Sequence, residues 1–163
     1  MMIETARTSR RSLLTTSLAL GGIALLGFSA AGNSKPAAAP ATRKMVMHKH
    51  PMCGCCGKWG DAARAAGFEV EIADTRDIMA VKAKYGVPDA LASCHTTIVG
   101  GYVVEGHVPL GAVAKLLRTK PKIKGIAVPG MPVGAPGMEV PGRPADPITV
   151  MAFDAAGKVR RFA

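Results

Sequence analysis

A Gly-Gly dipeptide at 100–101 separates two short apolar runs, 96–99 and 102–105. Glycine readily adopts the positive φ angles that a two-residue hairpin turn requires, so this pattern predicts an antiparallel β-hairpin. A two-residue turn also fixes the register of the two strands. Counting outward from the turn therefore places Cys94 opposite His107, although thirteen positions of sequence separate them.

Two βα steps precede this hairpin, and a helix follows it. Residues 45–48 predict a first strand, residues 56–66 a helix, and the alternating segment 68–73 a second strand. Asp77 is a suitable N-cap for a second helix, and Pro109 is suited to begin a third. The resulting order, β-α-β-α-β-β-α, predicts an α/β protein with a thioredoxin-like fold.

Two additions to that fold are expected after the third helix. The segment 128–138 is rich in glycine and proline, which disfavours regular structure and predicts a loop. A C-terminal β-hairpin is expected within residues 148–162.

The N-terminal segment has the features of an export signal. The pair Arg10–Arg11 precedes an uncharged apolar run over 12–31, an arrangement that resembles the twin-arginine motif. We therefore expect a twin-arginine-type signal peptide at 1–31, a flexible linker at 32–43 and a folded domain at 44–163. The expected location is the periplasm, with an uncleaved N-terminal membrane anchor as the alternative.

The chain is basic, with a formal net charge of +10. Its lysines and arginines are scattered, and only 4% of its residues are aromatic, so few side chains are available to stack on bases. The charge is therefore interpreted as a solvated basic surface, and no nucleic-acid partner is expected. No membrane association is expected once the signal peptide has been cleaved.

The cysteines are the strongest chemical signal. The chain has four, of which three fall within the four residues 53–56 and the last, Cys94, directly precedes His95. In the expected fold the first strand ends at the edge of the sheet where the hairpin begins and ends. The sequence therefore predicts a composite site formed by Cys53, Cys55, Cys56, Cys94, His95 and His107.

The donors of this site are soft. Thiolates and imidazoles favour Cu(I) or Zn(II) over cations that prefer oxygen ligands. Methionine thioethers at Met52, Met131 and Met138 favour copper over zinc if they lie within reach. The cysteines also lie where a helix is expected to begin, and its partial positive charge stabilises thiolate.

Two other interpretations use the same cysteines. Cys53 and Cys56 form a C-x-x-C pair that could carry out thiol-disulfide exchange. Three cysteines and a histidine could instead form a structural zinc site. A purely structural disulfide scheme would have to pair one of the clustered cysteines with Cys94, because the adjacent Cys55 and Cys56 cannot easily bond without strain. Such a scheme would leave two thiols unexplained.

Four segments together resemble the CopG-like family of periplasmic proteins. They are Cys-Gly-Cys-Cys-Gly-Lys-Trp at 53–59, Ser-Cys-His-Thr at 93–96, Gly-Tyr-Val-Val-Glu-Gly-His-Val-Pro at 101–109 and the Gly/Pro-rich segment at 128–139. The resemblance implies a thioredoxin-like fold that binds several copper ions. It also implies a role in copper resistance through a change in the redox state of copper.

By position, the resemblance implies that the four thiolate ligands are Cys53, Cys55, Cys56 and Cys94. His107, together with His95 or Met138, would complete or gate the site. The hypothesis is that thiolates capture Cu(I), that sulfurs bridge the ions into a multinuclear cluster, and that the cluster passes electrons between Cu(I) and Cu(II). Copper ions and other periplasmic copper-handling or electron-transfer proteins are the expected partners, and whether the protein is an enzyme is left open.

Overall fold

The computed structural model describes residues 44–162. The expected signal peptide (1–31) and linker (32–43) lie outside these residues. The described chain forms three α-helices and seven strands in the order β1 (Lys44–Lys49), α1 (Gly54–Ala65), β2 (Glu69–Asp74), α2 (Ile78–Tyr85), β3 (His95–Val99), β4 (Tyr102–Glu105), α3 (Leu110–Thr119), β5 (Gly125–Ala127), β6 (Met151–Phe153) and β7 (Val159–Arg161). In residues 44–162, no helix has the length and apolarity needed to cross a membrane.

All seven strands belong to one mixed sheet with the order β2-β1-β3-β4-β5-β6-β7. Strands β1 and β2 are parallel, whereas β3 is antiparallel to both β1 and β4. The first four strands and the three helices thus form the expected thioredoxin-like α/β frame. The hairpin register is confirmed, because Val99 pairs with Tyr102 and Thr96 with Glu105.

The C-terminal hairpin is confirmed as β6 and β7, but its attachment to the frame was not predicted. Strand β5 pairs in parallel with β4 and antiparallel with β6, so it joins the hairpin to the main sheet. It has only three residues and begins with Gly125, which carries no strand signal of its own. A Cβ at Gly125 would lie 2.7 Å from the Phe153 ring, so glycine permits this close packing.

Helix α1 begins at Gly54, two residues before the predicted start. The helix packs closely on β1: a Cβ at Gly60 would lie 3.1 Å from Cε of Met47, so the small residue sets the distance between the two elements. Trp59, on the same helix, is fully buried. Its indole N–H donates a hydrogen bond to the carbonyl oxygen of Val108 at 3.0 Å, which ties α1 to the chain after β4.

Candidate metal centre

The hairpin register brings Cys94 and His107 together. The ladder continues beyond the last strand pair, since the Gly106 N–H donates to the His95 carbonyl oxygen at 2.9 Å. One position further, Sγ of Cys94 lies 3.0 Å from Nε2 of His107. The proximity predicted from the two-residue turn is therefore confirmed.

The clustered cysteines lie at the start of α1. Cys53 occupies the N-cap position, and Cys55 and Cys56 lie in the first turn. Cys53 and Cys56 form a disulfide, with their Cα atoms 5.5 Å apart, whereas Cys55 and Cys94 are free. The disulfide is that of the C-x-x-C pair, whose two sulfurs one helical turn brings together, and Cys94, which a purely structural disulfide would have to use, is free.

The four cysteine sulfurs form one group. All four Sγ atoms lie within 4.8 Å of one another. Cys55 Sγ is 3.5 Å from Cys53 Sγ, and Cys56 Sγ is 3.8 Å from the Cys94 carbonyl oxygen. Four sulfurs this close form a donor set suited to a soft metal once the disulfide is reduced.

A second donor group shares Cys94 with the first. The ligand atoms of Cys94, His95 and His107 also lie within 4.8 Å of one another. Nδ1 of His95 is 3.4 Å from the Cys94 sulfur, and Nε2 of His107 is 3.0 Å from the same sulfur. Cys94 therefore connects an all-sulfur group to a group that also contains imidazole nitrogens.

The orientation of His107 is fixed by the Gly/Pro-rich loop. Its Nδ1 lies 2.7 Å from the carbonyl oxygen of Pro136, which can only accept a hydrogen bond, so Nδ1 carries the proton. In the neutral ring, Nε2 then presents its lone pair to Cys94. A backbone carbonyl on the outer nitrogen is a common way to orient a metal-binding histidine.

His95 carries a buried nitrogen with no hydrogen-bond partner. The residue is fully buried, and its Nε2 has no partner among the described residues. Burial lowers the pKa of His95 to about 3, and the nearby His107 and Lys82 add to the effect. Its ring lies 4.9 Å from the Trp59 ring, so the indole shields it from solvent. A neutral imidazole is suited to metal ligation through the nitrogen that carries no proton.

Burial also sets the protonation states of Cys94 and His107. Burial raises the pKa of the Cys94 thiol to about 12, and the negative charge of a Cys55 thiolate contributes further. Burial also lowers the pKa of His107, although the hydrogen bond to Pro136 and the charge of Glu139 partly offset it. The metal-free pair is therefore a thiol beside a neutral imidazole.

The loop at 128–138 covers the start of α1. Gly137 has a φ of +81°, and a Cβ there would lie 2.7 Å from the backbone nitrogen of Trp59 and 3.0 Å from the Cys55 carbonyl oxygen. Only glycine allows the loop to approach this closely. Met138, the next residue, is partly buried, whereas Met131 is 56% exposed and Met52 is 85% exposed. Copper ligation by Met138 stays a prediction.

A buried polar network beside Cys94 was missed in the sequence. The Glu105 carboxylate accepts hydrogen bonds from the Lys82 ammonium at 2.5 Å, from the Ser93 N–H at 2.7 Å and from the Thr96 hydroxyl at 2.6 Å. Lys82 and Glu105 are almost fully buried. The available signal was the position of Lys82 in α2, where its helical neighbours on one face are the apolar residues Ile78, Val81 and Tyr85.

Comparison with known proteins gives one family match. Residues 91–138 match the family described as protein of unknown function, DUF411. None of the curated proteins matches the sequence.

Two solved structures of a copper resistance protein CopG are similar to the chain in both sequence and fold. Form 2 shares 41% identity over 74% of this chain and 95% of its own, with a TM-score of 0.69. Form 1 shares 40% identity over 75% of this chain and 96% of its own, with a TM-score of 0.70.

Proposed function

The chain belongs to the CopG copper-resistance family, and on that premise we propose that it captures copper through its cysteine cluster and converts it between Cu(I) and Cu(II). The observation that carries this proposal is the position of Cys94 in both donor groups. A thiolate sulfur has several lone pairs and can bridge metal ions. A shared sulfur therefore suits a site that holds more than one copper ion.

Copper capture depends on the state of the Cys53–Cys56 disulfide. With this bond closed, only Cys55 and Cys94 can supply thiolates. Reduction supplies two more sulfurs within the same 4.8 Å group, which matches the preference of Cu(I) for several soft donors. High-affinity binding is therefore a property of the reduced protein.

The same two cysteines can supply the electrons for copper reduction. When the Cys53 and Cys56 thiolates each give one electron to a Cu(II) ion, an S–S bond forms and two Cu(I) ions result. The two thiol protons leave as the thiolates form. In the reverse direction, two Cu(II) ions form as the disulfide accepts two electrons and two protons.

His107 assists copper binding at Cys94. The Cys94 thiol must lose its proton when it binds metal, because the thiolate is the ligand. The Nε2 lone pair of His107 lies 3.0 Å away and can accept that proton or donate to copper directly. Pro136 keeps this lone pair directed at the sulfur.

Copper content tests the proposal. Anaerobic protein, fully reduced, is titrated with Cu(I), and the bound metal is measured. We expect more than one Cu(I) per chain in the wild type and fewer in Cys94→Ser, which removes the shared sulfur. Cys55→Ser serves as the matched variant, since it removes a sulfur from the first group only. A single bound zinc ion with no copper uptake would contradict the proposal.

Copper reduction is tested separately. Reduced protein is mixed anaerobically with two equivalents of Cu(II) and a Cu(I)-specific chromogenic chelator. We expect two Cu(I) ions and one Cys53–Cys56 disulfide per chain, with mass spectrometry locating the disulfide. The Cys53→Ser/Cys56→Ser variant should lose most of this activity. Equal reduction by that variant would show that the electrons come from elsewhere.

A second candidate function is thiol-disulfide exchange with other proteins. The closed Cys53–Cys56 disulfide at the start of α1 on a thioredoxin-like frame supports it. Cys56 is fully buried and Cys53 is partly exposed, so Cys53 is the sulfur that a partner can reach. Insulin reduction that persists in Cys55→Ser and Cys94→Ser, with copper uptake unaffected, would favour this alternative.

We place this function in the periplasm on the basis of the twin-arginine-like segment at 1–31. A reductant for the disulfide would then come from a periplasmic dithiol or electron-transfer protein. The test is export of a reporter fused to this segment. Replacement of Arg10 and Arg11 by lysine should block its export through the twin-arginine pathway.

A further inference from the structure

A cleft of about 310 Å³ opens beside Cys94. One wall is the face of α2 that carries Met79 and Lys82, which lie one helical turn apart. Ser93 and Cys94 also line it, as does Met131 from the Gly/Pro-rich loop. The cleft thus brings two methionines to the residue whose sulfur the two donor groups share.

Exposed methionines are concentrated around this region. Five large apolar side chains are exposed within residues 44–162, and three of them are methionines. Met79 and Met131, each 56% exposed, line the cleft, whereas Met52, 85% exposed, lies outside it. A methionine this exposed does not fill a gap in the core, so its thioether is available to a ligand.

The shape of the cleft is maintained by hydrogen bonds. The Ser93 hydroxyl donates to the Gly130 carbonyl oxygen at 2.6 Å, which fixes the loop next to Met131. The Ser93 N–H and the Lys82 ammonium both donate to Glu105. Ser93 is therefore hydrogen-bonded to the loop that carries Met131 and, through Glu105, to the helix that carries Met79.

The charge of the cleft discriminates between cations. The Lys82 ammonium is compensated by the Glu105 carboxylate, so it adds no unpaired charge. None of the cleft's lining residues in the described part of the chain carries a carboxylate. Hard cations such as Mg²⁺ and Ca²⁺ prefer oxygen ligands, whereas thioethers select Cu(I). The surroundings of Met79 and Met131 therefore suit a soft monovalent ion.

We propose that Met79 and Met131 form an uptake site that binds Cu(I) and transfers it to Cys94. The inference rests on the proposed function in that Cys94 is taken as part of the copper centre. Transfer is a ligand exchange: the bond from copper to a thioether sulfur breaks as the bond to the Cys94 sulfur forms. The thiol proton leaves to solvent, and copper remains Cu(I). Exchange of a neutral thioether for an anionic thiolate drives the ion inward.

Loading kinetics test the transfer. Reduced protein is mixed anaerobically with the coloured Cu(I) complex of bicinchoninate, and loss of colour is followed by stopped flow. Met79→Leu/Met131→Leu keeps the side-chain size and removes both sulfurs. We expect loading to slow by about tenfold, as for a modest rise in the barrier, with unchanged final copper content. Met52→Leu is the matched control and should load at the wild-type rate.

Direct coordination is tested without any thiol present. In the oxidised Cys55→Ser/Cys94→Ser variant, the other two cysteines of the chain are in the disulfide. Protein labelled with ¹³C at the methionine methyl groups is titrated with Ag(I), a redox-inert substitute for Cu(I). The methyl resonances of Met79 and Met131 should shift together, and that of Met52 should remain in place.

The outcomes separate the two proposals. Equal loading rates with no Ag(I) shifts would overturn the uptake site, as would an equal slowing by Met52→Leu. Loss of final copper content in the double methionine variant would also overturn it, because the sulfurs would then belong to the main centre. If the wild type bound no Cu(I) at all, the proposed function would fail, and the Ag(I) titration would still decide whether the methionine site exists.

Discussion

Nε2 of His107 lies 3.0 Å from Sγ of Cys94, where Cys94 directly precedes β3 and His107 lies two residues after β4. The contact couples a partly buried thiol to a neutral imidazole whose other nitrogen is held by the Pro136 carbonyl oxygen. Reactivity at Cys94 therefore depends on the hairpin, on the covering loop and on burial. Each of these dependences can be tested in the metal-free protein.

The raised pKa of Cys94 predicts low thiol reactivity near neutral pH. With a pKa of about 12, only about one Cys94 in 10⁴ is ionised at pH 8, and alkylation requires the thiolate. We expect Cys94 in the metal-free protein to react with iodoacetamide far more slowly than an unstructured cysteine peptide, and its rate to rise up to about pH 12. Peptide-resolved mass spectrometry measures this, and peptide-like reactivity at pH 8 would contradict it.

The unpartnered Nε2 of His95 predicts a conflict between stability and copper binding. Replacing His95 with Phe removes a buried unsatisfied nitrogen, so the metal-free protein should gain about 1 kcal/mol in free energy of unfolding. The same change should weaken Cu(I) binding. Thr97→Val is the control, because the Thr97 hydroxyl is also buried without a hydrogen-bond partner within residues 44–162. It should stabilise the protein with copper binding intact, and weaker copper binding in this control would argue against a ligand role for His95.

The depressed pKa of His95 also predicts acid sensitivity. An unfolded histidine binds a proton near pH 6.5, whereas folded His95 does so only near pH 3. The unfolded chain therefore binds more protons between these values, and stability that is present above pH 6.5 is lost as the pH falls. The loss from this residue is on the order of 4 kcal/mol by pH 3. Urea unfolding of metal-free protein at several pH values should show a shallower decline in His95→Phe.

Close packing at Gly137 predicts that the loop position controls copper binding. Gly137→Ala should cost about 2 kcal/mol and weaken Cu(I) binding, because the new Cβ would push the loop and Pro136 away from α1. Gly142→Ala is matched in backbone strain: its φ is +76°, yet a Cβ there meets nothing within 4 Å. It should lose stability without losing copper affinity. Urea unfolding and a competition assay with a Cu(I) chelator measure the two quantities.

The buried pair of Lys82 and Glu105 predicts strong coupling between α2 and the hairpin. Lys82→Leu or Glu105→Gln alone should each cost about 3 kcal/mol, because each leaves one buried charge uncompensated. The double variant Lys82→Leu/Glu105→Gln should cost less than the sum of the two single variants. The exposed pair of Lys44 and Glu71 is the control and should contribute about 0.5 kcal/mol or less. Additive effects in urea unfolding of the buried pair would contradict this prediction.

Features that depend on local sequence were predicted well. The dipeptide at 100–101 fixed the hairpin register, Asp77 caps α2 through a hydrogen bond to the Ala80 N–H, and Pro109 precedes α3. The hairpin register also brought Cys94 to His107. Each of these follows from backbone preferences within a few residues, which a sequence displays directly.

Features that depend on contacts between distant segments were not predicted. Strand β5 exists because β4 and β6 pair with it, and its three residues carry little strand preference. The Pro136 carbonyl orients His107 from a loop whose path no local rule sets.

The sequence by itself determined the soft donors, the order of the elements from β1 to α3 and the register that joins Cys94 to His107. Only the tertiary structure decided how those donors are arranged: Cys94 shared between two groups, His95 left with a free nitrogen, and a methionine-lined cleft at the shared sulfur. The physical reason is that burial and close approach are properties of packed segments. The order of the residues and their local backbone preferences, by contrast, can be read directly from the sequence.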